Sequence, residues 1–104
     1  NNMEWYYYFG VFLSGVVLGN AIPHFVSGIS GNKFPTPFAK PRGRGLSSST
    51  INVLWGLFNL IIGLVLAKTS HFDLADNGMM LTFFIGITCI SIPSSMNFAK
   101  KEKE

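Results

Sequence analysis

Apolar positions fall into three long runs, and the polar ones gather between them. The runs cover about Trp5 to Ile22, residues 50–67 and residues 76–93. A helix needs roughly 20 mostly apolar residues to cross a bilayer, so each run predicts a transmembrane helix. Pro23 lacks an N–H and clashes with the carbonyl four residues back, at Gly19, so the first helix ends there or kinks. A kinked continuation to residue 30 is the expected form. Ser47, Ser48, Ser49 and Thr50 are all good N-caps for the second helix, as are Asp76 and Asn77 for the third. Pro93 kinks or ends the third span. Residues 31–46 are the least helical, because Pro35, Pro37 and Pro41 favour extended backbone and Gly43 and Gly45 loosen the end of the segment. Phe34 and Phe38 are expected to dip into the membrane interface while the basic side chains reach phosphate level. Residues 97–104 form a charged tail, expected to fray. The predicted fold is an all-α membrane protein of one domain. Its three transmembrane helices pack as a compact bundle, with a Pro/Gly-rich basic cytoplasmic loop between the first and second.

Charge sharpens this picture. The 104 residues include 13 charged ones, and none lies between Glu4 and Lys33, between Arg44 and Lys68, or between Asp76 and Lys100. Those gaps of 28, 23 and 23 residues cover 74 positions, more apolar chain than a soluble domain of this size can hide. A single cysteine excludes an internal disulfide scaffold, and Cys89, inside the third span, reads as a small core residue. The first run is expected to be a retained span and not a signal peptide. A signal peptide needs a basic start, whereas the early charge here is Glu4, and Trp5, Tyr6, Tyr7 and Tyr8 form an interfacial belt.

The first loop and the tail hold seven basic residues, while the other side holds Lys68 with Glu4, Asp73 and Asp76. The positive-inside rule therefore puts the N-terminus outside and the C-terminus in the cytoplasm. The net charge of +3 follows from topology, and no nucleic-acid partner is indicated.

Each span carries one small or polar edge. The second has Asn52, Gly56, Asn59 and Gly63 on one face; the first has Gly15, Gly19 and Asn20, with His24 four residues on; the third has Gly78, Thr82 and Gly86. Membrane helices associate through close packing and polar contacts, so all three edges are expected to turn inward. Interhelical asparagine contacts are worth about 0.6–2 kcal/mol each. The competing reading is a polar lining for a substrate path. No carboxylate lies within a span, which argues against a proton-coupled exporter.

The segment Asn20 to Asn52 is the candidate site. It gathers His24, Lys33, Lys40, Arg42 and Arg44 with the hydroxyls of Ser47, Ser48 and Ser49 at a helix start. Free N–H groups at a helix N-terminus suit an anion, and Arg adds planar bidentate donors for phosphate. The pattern is not a Walker A loop, since Gly-Lys-Ser/Thr is missing. The expected partners are membrane lipids, chiefly anionic ones, with protein subunits or further copies of the chain as the other possibility. The bland alternative is diffuse attraction to anionic lipid, about 1 kcal/mol per basic residue. His24 and His71 lie on opposite sides and share no metal. No cofactor is indicated, and no nucleophile–base pair stands out.

The run NAIPHFVSGISGNKFPTPFAKPRGRGLSSSTINVLWG, from Asn20 to Gly56, resembles the central signature of a family of small uncharacterised bacterial three-span inner-membrane proteins. The resemblance implies the same membrane and makes this segment one unit; it brings no activity or catalytic residue. In length, span number, orientation and basic tail the chain also resembles class I phage holins. The leading expectation is a noncatalytic protein that binds an anionic lipid or phosphorylated ligand at its basic loop. The others are a structural or regulatory subunit of a larger complex or homo-oligomer, a lipid-processing enzyme, and a holin-like pore.

The charge distribution yields a test of topology. A cysteine placed at position 40 should resist labelling from outside intact cells, and one at position 73 should react. The reverse pattern would invert the orientation.

Overall fold

A computed structural model describes residues 4–42 and 44–103. They form three helices, α1 (Trp5–Ile29), α2 (Ser49–Thr69) and α3 (Asn77–Phe98). Each is long and apolar enough to cross a membrane, so the chain is an all-α, multi-pass membrane protein. α1 passes through Pro23 and α3 through Pro93. α3 therefore runs five residues beyond the span read from sequence. Its last turn is tied down by Phe98, whose ring lies 4.7 Å from that of Phe34 and 6.0 Å from that of His24. The Ser48 hydroxyl caps α2 by accepting from Ile51 N–H at 3.2 Å. Asp76 caps α3 through Met79 N–H at 3.1 Å, and its second oxygen accepts from the Tyr8 hydroxyl at 3.2 Å.

α1 is the shared partner of the other two helices. Among the described residues no Cα of α2 comes within 8 Å of α3. The small edges therefore do not meet on one axis, because α1 presents one to each of its two partners. Gly15 and Gly19 face α3. A Cβ on Gly15 would run into the Phe83 carbonyl, and one on Gly86 would run into the Phe12 carbonyl, so the two backbones touch reciprocally. The other edge of α1 faces α2. A Cβ on Gly28 would sit 2.6 Å from Val53 N, and one on Gly56 would sit 2.8 Å from Phe25 N. The buried Ser14 hydroxyl donates to the Gly63 carbonyl at 2.8 Å, and Asn20 Nδ2 donates to Asn59 Oδ1 at 3.2 Å. Lipid supplies no hydrophobic drive for helix pairing, so such contact and hydrogen bonding hold the bundle together.

α3 has α1 as its one helical neighbour and leaves most of its surface outward. Cys89 is accordingly exposed and is not the core residue its place in the span implied. Gly78 is exposed, and the Thr82 hydroxyl donates to the Gly78 carbonyl of its own helix at 2.7 Å.

Glycine substitutions should separate backbone contact from looser packing. Gly86→Ala and Gly56→Ala press a methyl group into neighbouring backbone and should each cost about 1–3 kcal/mol. Gly63→Ala meets mainly the Leu18 side chain, which can swing away, and should cost less. Gly78→Ala should change stability by less than about 0.5 kcal/mol. Reversible unfolding in micelles measures all four; equal losses would remove the backbone contact.

Candidate functional site: a cavity at the basic end

Residues 30–48 join α1 to α2 and fold back over the end of the bundle. Phe34 and Ser47 pair as an isolated antiparallel bridge, with Phe34 N–H donating to Ser47 O at 3.2 Å and Ser47 N–H to Phe34 O at 3.0 Å. The Thr36 and Ser47 hydroxyls bond to each other, and Phe38 N–H donates to Thr36 Oγ1 at 3.2 Å. Gly45 lies buried so close to the Lys40 carbonyl that a Cβ would collide with it. That glycine serves the turn itself. Gly43, read from sequence in the same role, lies outside the described residues.

Beneath this loop sits Asn52, fully buried in the first turn of α2. Its Nδ2 donates to the carbonyls of Phe34 at 2.8 Å, Ser48 at 3.0 Å and Ser47 at 3.3 Å. Three acceptors on one side assign that atom as the nitrogen, so Oδ1 is the atom 2.9 Å from His24 Nδ1. A carbonyl oxygen only accepts, and the hydrogen-bond network therefore places a proton on Nδ1. In the neutral ring Nε2 then keeps its lone pair. His24 is 2% exposed, and Phe34, Phe98 and Trp55 box its ring with centroids at 5.4, 6.0 and 6.5 Å.

His24 forms part of the wall of a cavity of about 170 Å³, which Asn20, Thr36, Arg42, Trp55 and Asn97 also line, with Pro35, Pro37 and Phe98 completing it. At ~30 Å³ per water that is room for about five or six waters. The Arg42 side chain has no carboxylate partner among the described residues. On the far side of Trp55 an apolar groove of about 440 Å³ runs along α2, walled by Phe38, Ile51, Leu54, Trp55 and Phe58. Trp55 thus belongs to both spaces. Its indole N–H is buried with no acceptor among the described residues.

The structure sorts the residues singled out from sequence. His24 and Arg42 meet in the cavity. Lys33, Lys40 and Arg44 sit on the loop and do not line it. Ser47 is engaged by Thr36, Ser48 by its cap, and Ser49 opens α2 with its carbonyl against Gly28. Phe34 packs inward on His24 instead of dipping into the interface, whereas Phe38 stays exposed beside Trp55. Among its described residues the tail docks: Glu102 N–H donates to Arg44 O at 2.8 Å, and Lys101 Nζ stands 5.8 Å from the centre of the Phe34 ring. Thr36, Trp55 and Asn97 were not anticipated. Trp55 lies one residue before Gly56 and three after Asn52, so its place on the flank of the polar edge was the available signal. Thr36 and Asn97 had none.

No protein family, curated protein or solved structure matches the chain.

The amide network predicts an order among the buried asparagines. Asn52→Leu leaves His24 Nδ1–H unpaired and removes the tie to three carbonyls. It should cost about 1–3 kcal/mol for the orphaned donor alone. Asn59→Leu breaks one weaker interhelical bond and should cost nearer to about 0.6 kcal/mol. Thermal unfolding in detergent compares them, and an equal loss would deny Asn52 its special place.

Proposed function

We propose that this chain is a noncatalytic bacterial inner-membrane protein, with its N-terminus outside, that binds an anionic lipid by the phosphate of its headgroup at the cytoplasmic end. The observation that carries this reading is Arg42, an exposed residue without a carboxylate partner among the described residues, which lines a cavity together with Asn20, Thr36 and Asn97. Guanidinium offers planar, bidentate donors that match phosphate. Asn20, Thr36 and Asn97 add amide and hydroxyl groups around the same space. The cavity has the size of a headgroup, and the adjoining groove has the character of an acyl-chain seat. The two spaces share Trp55 as a wall, and this adjacency favours a lipid over a free phosphorylated ligand. The basic tail and loop lie together, so Lys100, Lys101 and Lys103 add positive potential at the same end. The sequence likeness to small bacterial three-span proteins supports the proposed membrane, and the seven-to-one distribution of basic residues supports the orientation.

Native mass measurement from mild detergent tests the reading. The parent should retain one anionic phospholipid. Arg42→Gln should lower retention roughly 10-fold or more, the scale of a lost charge-assisted hydrogen bond. Arg42→Lys should also weaken it, because a point charge lacks the bidentate fork. Arg44→Gln should leave most of it intact. Equal effects at positions 42 and 44 would reduce the loop to a diffuse charge.

A further inference from the structure

The cavity asks for more than an anion. His24 belongs to its wall, whereas Asn52, which holds the Nδ1 edge of the ring, does not. Nε2 is carried on the edge of the ring away from Asn52. The Asn52 amide cannot turn round to change this, because reversal would set its oxygen against the carbonyls of Phe34, Ser47 and Ser48. The neutral ring therefore offers a fixed acceptor, with no hydrogen-bond partner for Nε2 among the described residues. Arg42 offers only donors to the same small space. A simple phosphate ester bearing only alkyl groups would satisfy Arg42 and leave Nε2 unpaired. A ligand that carries a hydroxyl beside its phosphate would satisfy both.

Resting on the anionic-lipid proposal, we infer that the ligand is an anionic phosphodiester with a neighbouring hydroxyl, of the phosphoglycerol type, whose phosphate meets Arg42 while the hydroxyl donates to His24 Nε2. His24 is then the residue that distinguishes among anionic lipids, and Arg42 the one that holds them as a class. A ligand group that leaves a buried polar partner unpaired is disfavoured, and a neutral hydrogen bond of this kind corresponds to about a 2- to 10-fold preference.

The test offers the purified full chain, in mild detergent, equal amounts of phosphatidylglycerol and phosphatidylmethanol with identical acyl chains. Both carry one negative charge, and only the first carries headgroup hydroxyls. Retention is read by native mass. The parent should prefer phosphatidylglycerol about 2- to 10-fold. His24→Phe should bring the ratio to one while phosphatidylmethanol is still retained, and Arg42→Gln should release both lipids. Should His24→Phe fail to fold, the parent's ratio decides alone. A ratio of one in the parent, with both lipids still dependent on Arg42, overturns this inference and leaves the anionic-lipid proposal standing. Retention of neither lipid in an Arg42-dependent way overturns both. Glycerol 1-phosphate at millimolar concentration separates the sources of the shared chemistry. Displacement of phosphatidylglycerol by it supports a free headgroup as ligand, and its failure to compete supports a lipid held also by its chain.

Discussion

The amide of Asn52 is the contact on which the basic end depends. One side chain, anchored in the first turn of α2, reaches both arms of the loop through Phe34 and Ser47 and reaches α1 through His24. Non-helical backbone at or near membrane depth is tolerated only where its polar groups are satisfied inside the protein. The loop meets that condition largely through this residue and the Phe34–Ser47 bridge. With both ends of its amide engaged, Asn52 itself is satisfied, the state in which a buried polar group rigidifies its surroundings.

That contact needs two helices to lie unusually close, which is the role of the glycines. Gly28 and Gly56 let α1 and α2 meet backbone to backbone on either side of the His24–Asn52 pair. A methyl group at either position would widen the crossing and stretch the 2.9 Å bond between them. Gly15 and Gly86 perform the same service on the opposite edge of α1, where α3 brings Phe98 and Asn97 to the cavity. Close packing and polar recognition are therefore one arrangement: the small residues set the spacing at which the polar ones can be buried.

The number, type and approximate limits of the helices were legible because charge-free runs of 23 residues or more have few physical solutions. The caps at Ser48 and Asp76 were legible for a similarly local reason. Partner choice was not. α1 holds small residues at positions 10, 14, 15, 19 and 28, which divide between two edges, and periodicity alone does not say which edge meets which helix. Arg42 and Arg44 are two residues apart and chemically identical, yet only the first lines the cavity. The turn closed by Arg44 and Gly45 N–H on the Pro41 carbonyl separates them, and that turn depends on tertiary contact. Thr36 and Asn97 lie 61 positions apart, and nothing in their local sequence marks them as neighbours.

The two ends of the bundle differ in what their connections do. Between α2 and α3 the chain needs only residues 70–76, and the polar groups there close on one another: Asp76 takes both the Met79 N–H and the Tyr8 hydroxyl, and Asp73 accepts from Ala75 N–H at 2.9 Å. Joining α1 to α2 takes residues 30–48, although these two helices are antiparallel neighbours that a short turn could connect. Long ordered connections in compact domains are uncommon without a function of their own. Here the extra length folds into a roof over a cavity that His24 and Arg42 line from different elements. A loop needed only to carry positive charge for topology could stay solvated and unstructured. This one is pinned by buried hydrogen bonds to the helices it joins, and such ordering has a physical purpose when the space it encloses must keep a shape.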